Sequence, residues 1–172
     1  VMRIAVAGTG HLGTALLHPI LASRHTVVAV LQNGRAVKGL RRTTDPLLCS
    51  VLSPSVTVTG TARRRGIPIL WLDKLTDAEL APLRRLEPDL IVVGGFAIIF
   101  KKAILELPPL GCLNAHSSLL PMHRGPNPFS AVILAGDAES GVTFHRMDEG
   151  IDTGPIAAQF AIPVAPDESA GS

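Results

Sequence analysis

Asn114 and His116 stand two residues apart in the stretch LNAHSSLLPMHRGPNP, Leu113 to Pro128. An amide donor beside a titratable imidazole suits a reaction in which negative charge develops on a carbonyl oxygen. The Asn N–H can hold the oxyanion, and the His can add positive charge or move a proton. Downstream, MDEGIDTG (Met147–Gly154) sets three acids among glycines. A loop of that kind can carry a carboxylate to the imidazole, orient the ring and favour its charged form. The tripeptides DEG and DTG are also ordinary turn sequences. Between the two motifs, Pro121, Gly125, Pro126 and Pro128 leave the exit loop few conformations. Arg124 within it either anchors a carboxylate or phosphate, or ties the turn down.

Asn114 and His116 act together only if a strand puts them on one face. GCLNAH (Gly111–His116) reads as such a strand, with Ala115 facing the other way. Other strand-length apolar runs are RIAVAG (Arg3–Gly8), TVVAVL (Thr26–Leu31), IPILWL (Ile67–Leu72) and DLIVVGG (Asp89–Gly95). The last is apolar almost throughout, as in a strand buried on both faces. Helices are expected over Leu12–Ser23, with a break or kink at Pro19, and over Thr76–Leu86, with Thr76 and Glu79 as a capping box. A further helix is expected over Pro128–Gly136, with Pro at its start and Gly at its end. GVTFHRM (Gly141–Met147) alternates as a strand, and GPIAAQFAIPV (Gly154–Val164) is its candidate hairpin partner. Strands alternating with helices imply an α/β fold class, a Rossmann-like three-layer sandwich with a mostly parallel central sheet. Such sheets bind ligands at the carboxyl ends of their strands, where Asn114 and His116 fall.

GTGHLG (Gly8–Gly13) matches the dinucleotide fingerprint between a strand and a helix. That fingerprint also expects an acid about 20 residues on, whereas the first carboxylate of the chain is Asp45. The glycines are therefore read as serving a tight strand-to-helix turn. Nearly half of the 172 residues are hydrophobic and 17% are charged, which fits one folded domain. No apolar run approaches the roughly 18 residues that span a bilayer. The two cysteines, Cys49 and Cys112, form neither a disulfide framework nor a metal cluster, so the expectation is a reducing cytoplasm without membrane or metal. The net charge of +2 hides an asymmetry: nine of the sixteen Lys and Arg fall in residues 1–65, against one acid. The basic run NGRAVKGLRR (Asn33–Arg42), with Arg35, Arg41 and Arg42, suits a phosphate-bearing partner or is a solvated loop. Trp71 is expected in the core. His145, on an alternating strand, is a substrate contact if its face is wet.

The strings LNAHSSLLPMHRG and LAGDAESGVTFHRMDEGIDTG, together with PDLIVVGG and KKAILELPPLG, resemble the signature of the 10-formyltetrahydrofolate-dependent formyltransferases. The pattern N-x-H-x-S-L-L-P-x-x-R-G is followed by D-x-G, its Asp 36 residues after the His, and the likeness runs over nearly the whole chain. The resemblance implies transfer of a formyl group from 10-formyltetrahydrofolate to an amine, with Asn114, His116 and Asp152 catalytic. It places the folate against Phe96, Ile98, Ile99 and Phe100, against Ser118, Leu119, Leu120 and Pro121, and against Met147, Asp148 and Glu149. Methionyl-tRNA is the leading acceptor, and a nucleotide amino sugar or small amine the second. A folate-binding module or a 10-formyltetrahydrofolate hydrolase is the other class of reading. Residues 1–172 are expected to form the catalytic domain, cut short at the C-terminus and without the C-terminal β-barrel domain of the tRNA-acting members.

Overall fold

β1 (Arg3–Gly8) follows from its composition: Ile4, Ala5, Val6 and Ala7 alternate faces, yet all are buried. A strand hidden on both sides needs cover on both sides, the hallmark of a parallel α/β sheet. The computed structural model describes residues 1–34 and 57–171. Arg35, Arg41, Arg42 and Cys49 lie outside the described residues. The chain forms two compact units, Val1–Cys112 and Leu113–Ser172.

In the first unit β1 leads into α1 (Gly10–Ala22), β2 (Thr26–Asn33), α2 (Val58–Arg64), β3 (Ile69–Leu72), α3 (Asp77–Arg85), β4 (Leu90–Gly94) and the short α4 (Lys102–Leu105). The strands run parallel in the order β3-β2-β1-β4, with Val6 opposite Val30 on one side and Val92 on the other. Ile4, Val6, Val30 and Val92 pack with Leu17 of α1 and with Val58 and Ala62 of α2. Each such side chain removed from water contributes roughly 1.5–3 kcal/mol. On the opposite faces Ala5, Ala29, Leu31 and Ile91 are equally closed off.

The GTGHLG turn has a packing explanation. A Cβ added at Gly8 would stand 2.7 Å from the Gly13 Cα, and one at Gly13 would meet the Gly8 carbonyl carbon. The helix start can lie on the strand end only because both lack a side chain. Helix α1 runs on through Pro19, so the expected break is absent. Trp71 is half-buried rather than core, because β3 is the edge strand of its row. Thr76 caps α3 by accepting from the Glu79 N–H, while Glu79 reaches back to the N–H groups of Asp73, Lys74 and Leu75. Burial works against the Glu79 carboxylate, but these backbone donors and that of Thr76 hold its pKa below the usual value. Past β4, Phe96 and Phe100 meet edge to face at 5.9 Å; Phe100 and Ile98 are buried, and Ile99 is exposed.

In the second unit β5 (Cys112–His116), which begins at the unit boundary, is followed by α5 (Pro128–Ala135), β6 (Glu139–Arg146) and β7 (Ile156–Pro163). Pro128 opens α5, and Gly136 ends it in the left-handed conformation. β5 pairs antiparallel with β6, and β6 with β7, so the expected hairpin is present.

Candidate active site

The register of β5 on β6 sets the site. Asn114 stands opposite His145, His116 opposite Thr143, and Ala115 opposite Phe144. Residues directly opposite share a face, so Asn114, His116, Thr143 and His145 project together. His116 and His145 are buried, with side chains 7% and 2% exposed. The loop after β6 brings in the third expected group. Asp152 Oδ1 accepts from Asn114 Nδ2 at 3.3 Å and lies 3.4 Å from His145 Nε2. Its Oδ2 lies 3.5 Å from His116 Nδ1 and accepts from the Gly125 N–H at 2.9 Å. Asn114, His116 and Asp152 thus converge, with one carboxylate oxygen facing each of the two β5 side chains.

Several contacts fix that carboxylate. Arg124 Nε donates to the Asp152 carbonyl at 3.0 Å, which places this arginine on the loop carrying the acid. Asp152 holds a left-handed backbone, φ 53°. Asp148 tightens the same loop, its Oδ1 accepting from the Gly150 N–H and the Thr153 hydroxyl. Met147 is half-buried and Glu149 exposed beside it. Burial pushes the Asp152 carboxyl up, but the His145 hydrogen bond, the Gly125 N–H and the nearby His116 and His145 rings outweigh it and hold the pKa below the usual value.

The far side of His116 is held as well. Its Nε2 lies 2.9 Å from the His123 carbonyl oxygen, and the His123 ring pairs with Asp137 at 2.5 Å. His123 also has a left-handed backbone, φ 54°. Asp137, in the turn after α5, gave no sign of this in the sequence, where an acid after a helix is unremarkable.

The Ser118–Pro121 segment is built around one buried hydroxyl. Thr143 Oγ1 donates to the Ser118 carbonyl at 2.6 Å and accepts from the Leu120 N–H and from Gln159 Nε2, each at 3.0 Å. Gln159 also donates to the Leu120 carbonyl, and Ser118 Oγ to that of Met122. Ser118 and Leu120 are buried, Leu119 half-buried and Pro121 exposed, with a cis Leu120–Pro121 bond. Phe96, Ile98, Ile99 and Phe100 belong to the first unit, and the convergence described above involves second-unit residues.

His145 lacks the wet face on which a substrate contact was conditional. It faces no water, and its Nε2 lies 3.1 Å from Asn114 Nδ2. The signal was present, since the alternation of GVTFHRM puts Thr143 and His145 on one face. Only the register reveals that this face is shared with Asn114 and His116. Among the described residues no cluster of His, Cys, Asp and Glu has the arrangement of a metal site, and no helix is long and apolar enough to cross a membrane.

Comparison with known proteins gives this geometry a setting. The chain is 39% identical over 171 residues to a methionyl-tRNA formyltransferase of Chloroflexus aggregans, covering 99% of this chain and 52% of that protein. The chain therefore spans about half the length of the curated relatives it matches. Among solved structures, a phosphoribosylglycinamide formyltransferase from Anaplasma phagocytophilum superposes with a TM-score of 0.75 at 25% identity, covering 99% of this chain and 76% of that one. A sugar 3N-formyl transferase, solved with dTDP and 5-N-formyl-THF, gives a TM-score of 0.63 at 25% identity, covering 95% of this chain and 52% of that one. These likenesses agree with the Rossmann-like α/β architecture. Residues 2–172 match the formyl transferase family from end to end, and the chain belongs to it.

Proposed function

We propose that residues 1–172 form a catalytic domain that transfers a formyl group from 10-formyltetrahydrofolate to an amine, with Asn114, His116 and Asp152 as catalytic residues. The observation that carries this reading is the convergence of all three side chains, with Asp152 between the amide and the imidazole. The acceptor nitrogen attacks the formyl carbon, and the carbonyl oxygen takes up the negative charge of a tetrahedral intermediate. The Asn114 N–H and the charged His116 ring stabilise that oxygen, and Asp152 balances the charge on the ring. Collapse breaks the bond from the formyl carbon to the folate nitrogen, and the proton lost by the attacking amine passes to that nitrogen. Gly125 N–H and Arg124 keep the carboxylate aimed while this happens.

The folate donor is assigned to the segment Ser118–Pro121, whose backbone Thr143 and Gln159 hold, and to the loop Met147–Glu149 of the same unit. Methionyl-tRNA is the acceptor we favour, on the 39% identity to an enzyme of that name, with the cytoplasm as the place of action. A nucleotide amino sugar is the second reading, favoured by the likeness to the sugar 3N-formyl transferase.

Donor consumption measured in parallel with methionyl-tRNA, with amino-sugar nucleotides and with no acceptor tests the proposal. Consumption that depends on methionyl-tRNA, with formyl-methionyl-tRNA as product, is the expected result. Consumption without acceptor, releasing formate, would replace the transferase with a hydrolase. Folate binding without consumption in any arm would leave only a binding module.

A further inference from the structure

Beyond the three residues already given roles, Asn114 and Asp152 share a further titratable neighbour, His145, which is buried and has no part in the steps above. Its Nε2 stands 3.1 Å from Asn114 Nδ2 and 3.4 Å from Asp152 Oδ1, and its Nδ1 stands 3.3 Å from the Arg146 carbonyl oxygen. The charged and titratable groups around it are Asp152 on the loop and, across that carboxylate, His116 on β5. From β7 the ring's strand is paired with the apolar Ile156.

One ring nitrogen cannot serve both neighbours in the same state. Without a proton Nε2 accepts from the Asn114 amide; with one it donates to Asp152. The Arg146 carbonyl settles where the proton of a neutral ring sits, because a carbonyl oxygen beside Nδ1 calls for a donor there. In that neutral tautomer Nε2 is the acceptor and holds Asn114 by its shorter contact, whereas a ring carrying both protons donates from Nε2 to Asp152, the hydrogen bond described above. The second Asn114 hydrogen goes to Asp152 Oδ1 at 3.3 Å. That longer, weaker bond is the one a developing oxyanion can draw away.

We propose that His145 is a positioning residue for the reaction: as its Nδ1–H tautomer it grips one hydrogen of the Asn114 amide and leaves the other, resting on Asp152 Oδ1, to be drawn to the reacting oxygen. The inference rests on the formyl-transfer reading. It names a role that His145 plays through Asn114 and not by touching substrate.

The test uses two variants and one spectrum. His145→Phe keeps a flat ring of similar size and removes both nitrogens. Its kcat should fall about a hundredfold, the cost of an angstrom-scale misplacement of a catalytic group. KM for the formyl donor should stay close to that of the wild type, since binding of the ground state is untouched. His145→Gln, whose amide reaches the same place, should restore kcat to within about tenfold of wild type. A long-range nitrogen–proton NMR spectrum of the substrate-free wild-type protein should show the His145 proton on Nδ1. Wild-type kcat in the Phe variant would overturn the proposal, as would a Gln variant no faster than the Phe variant. A proton found on Nε2 of the neutral ring would do the same. Absence of formyl transfer in the wild type would instead sink the assignment of activity, while the spectrum would still decide how the ring is held.

Discussion

Of the seven buried polar side chains among the described residues, Gln32 and Thr61 lie in the first unit. His116, Ser117, Ser118, Thr143 and His145 lie in the second, which is about half as long. The buried hydrocarbon is distributed the other way: Ala115, Leu120 and Val132 are the second unit's share, against the long series from Ile4 to Ile104 in the first. A core of apolar side chains is held by area and shape, and it tolerates exchange at constant volume. A buried polar cluster is held by one-to-one matching, and each unmatched group is costly. Substitutions of similar size should therefore read out as stability in the first unit and as activity in the second.

Removing Leu17, sealed between β1 and α2, is the strongest test of the apolar side of this contrast. Leu17→Ala should lower stability by about 2–5 kcal/mol in urea unfolding and leave turnover of the folded protein unchanged. An equal loss of turnover would erase the distinction between the units. Asn114→Ala reverses the pattern. Formyl transfer should drop about a hundred- to a thousandfold, with little change in the unfolding midpoint. Near-normal turnover in a direct transfer assay would remove Asn114 from the mechanism.

Thr143→Val lies between these extremes, because the substitution keeps shape but strands the Leu120 N–H and frees the Gln159 amide. About 1–3 kcal/mol of stability should go with it, together with weaker binding of the folate donor in a fluorescence titration. The smallest effect concerns pH. A carboxyl whose folded pKa is depressed adds stability above its unfolded pKa of about 3.9, and that share is lost as pH falls through the folded value. Asp152→Asn should therefore be less stable than wild type near neutrality, and the two unfolding curves should merge at the acid end. A constant gap at every pH would mean that the charge of Asp152 is not what the site uses.

The same contrast explains what could be read from the sequence. β1, β2 and β4 were legible because burial on both faces leaves continuous apolar runs, and these appear in the chain without knowledge of any partner. Asn114 and His116 were legible because period-two alternation fixes their common side. Asp152 needed the family resemblance to single it out from Asp148 and Glu149, which sit in the same turn-like octapeptide. The partners of His145, Thr143 and Gln159 stayed hidden for one reason: each acts across strands, and cross-strand register is not written in either strand alone. Asp137 is a longer-range case still, since it reaches His116 only through the ring and carbonyl of His123. Helix α1 continues through Pro19 without a break because an isolated proline removes one donor from a helix whose Leu17 remains anchored in the core.

The left-handed backbone at Asp152 narrows the choice of amino acid before any chemistry is asked of it. Among residues with a Cβ, that conformation favours Asn, Asp and His, and glycine takes it freely. Of these only Asp brings a negative charge, and a glutamate here would have to reshape the whole turn. A library randomised at this codon and sorted for folding alone should already be enriched in Asp, Asn, His and Gly, with the reaction left to pick one of the four.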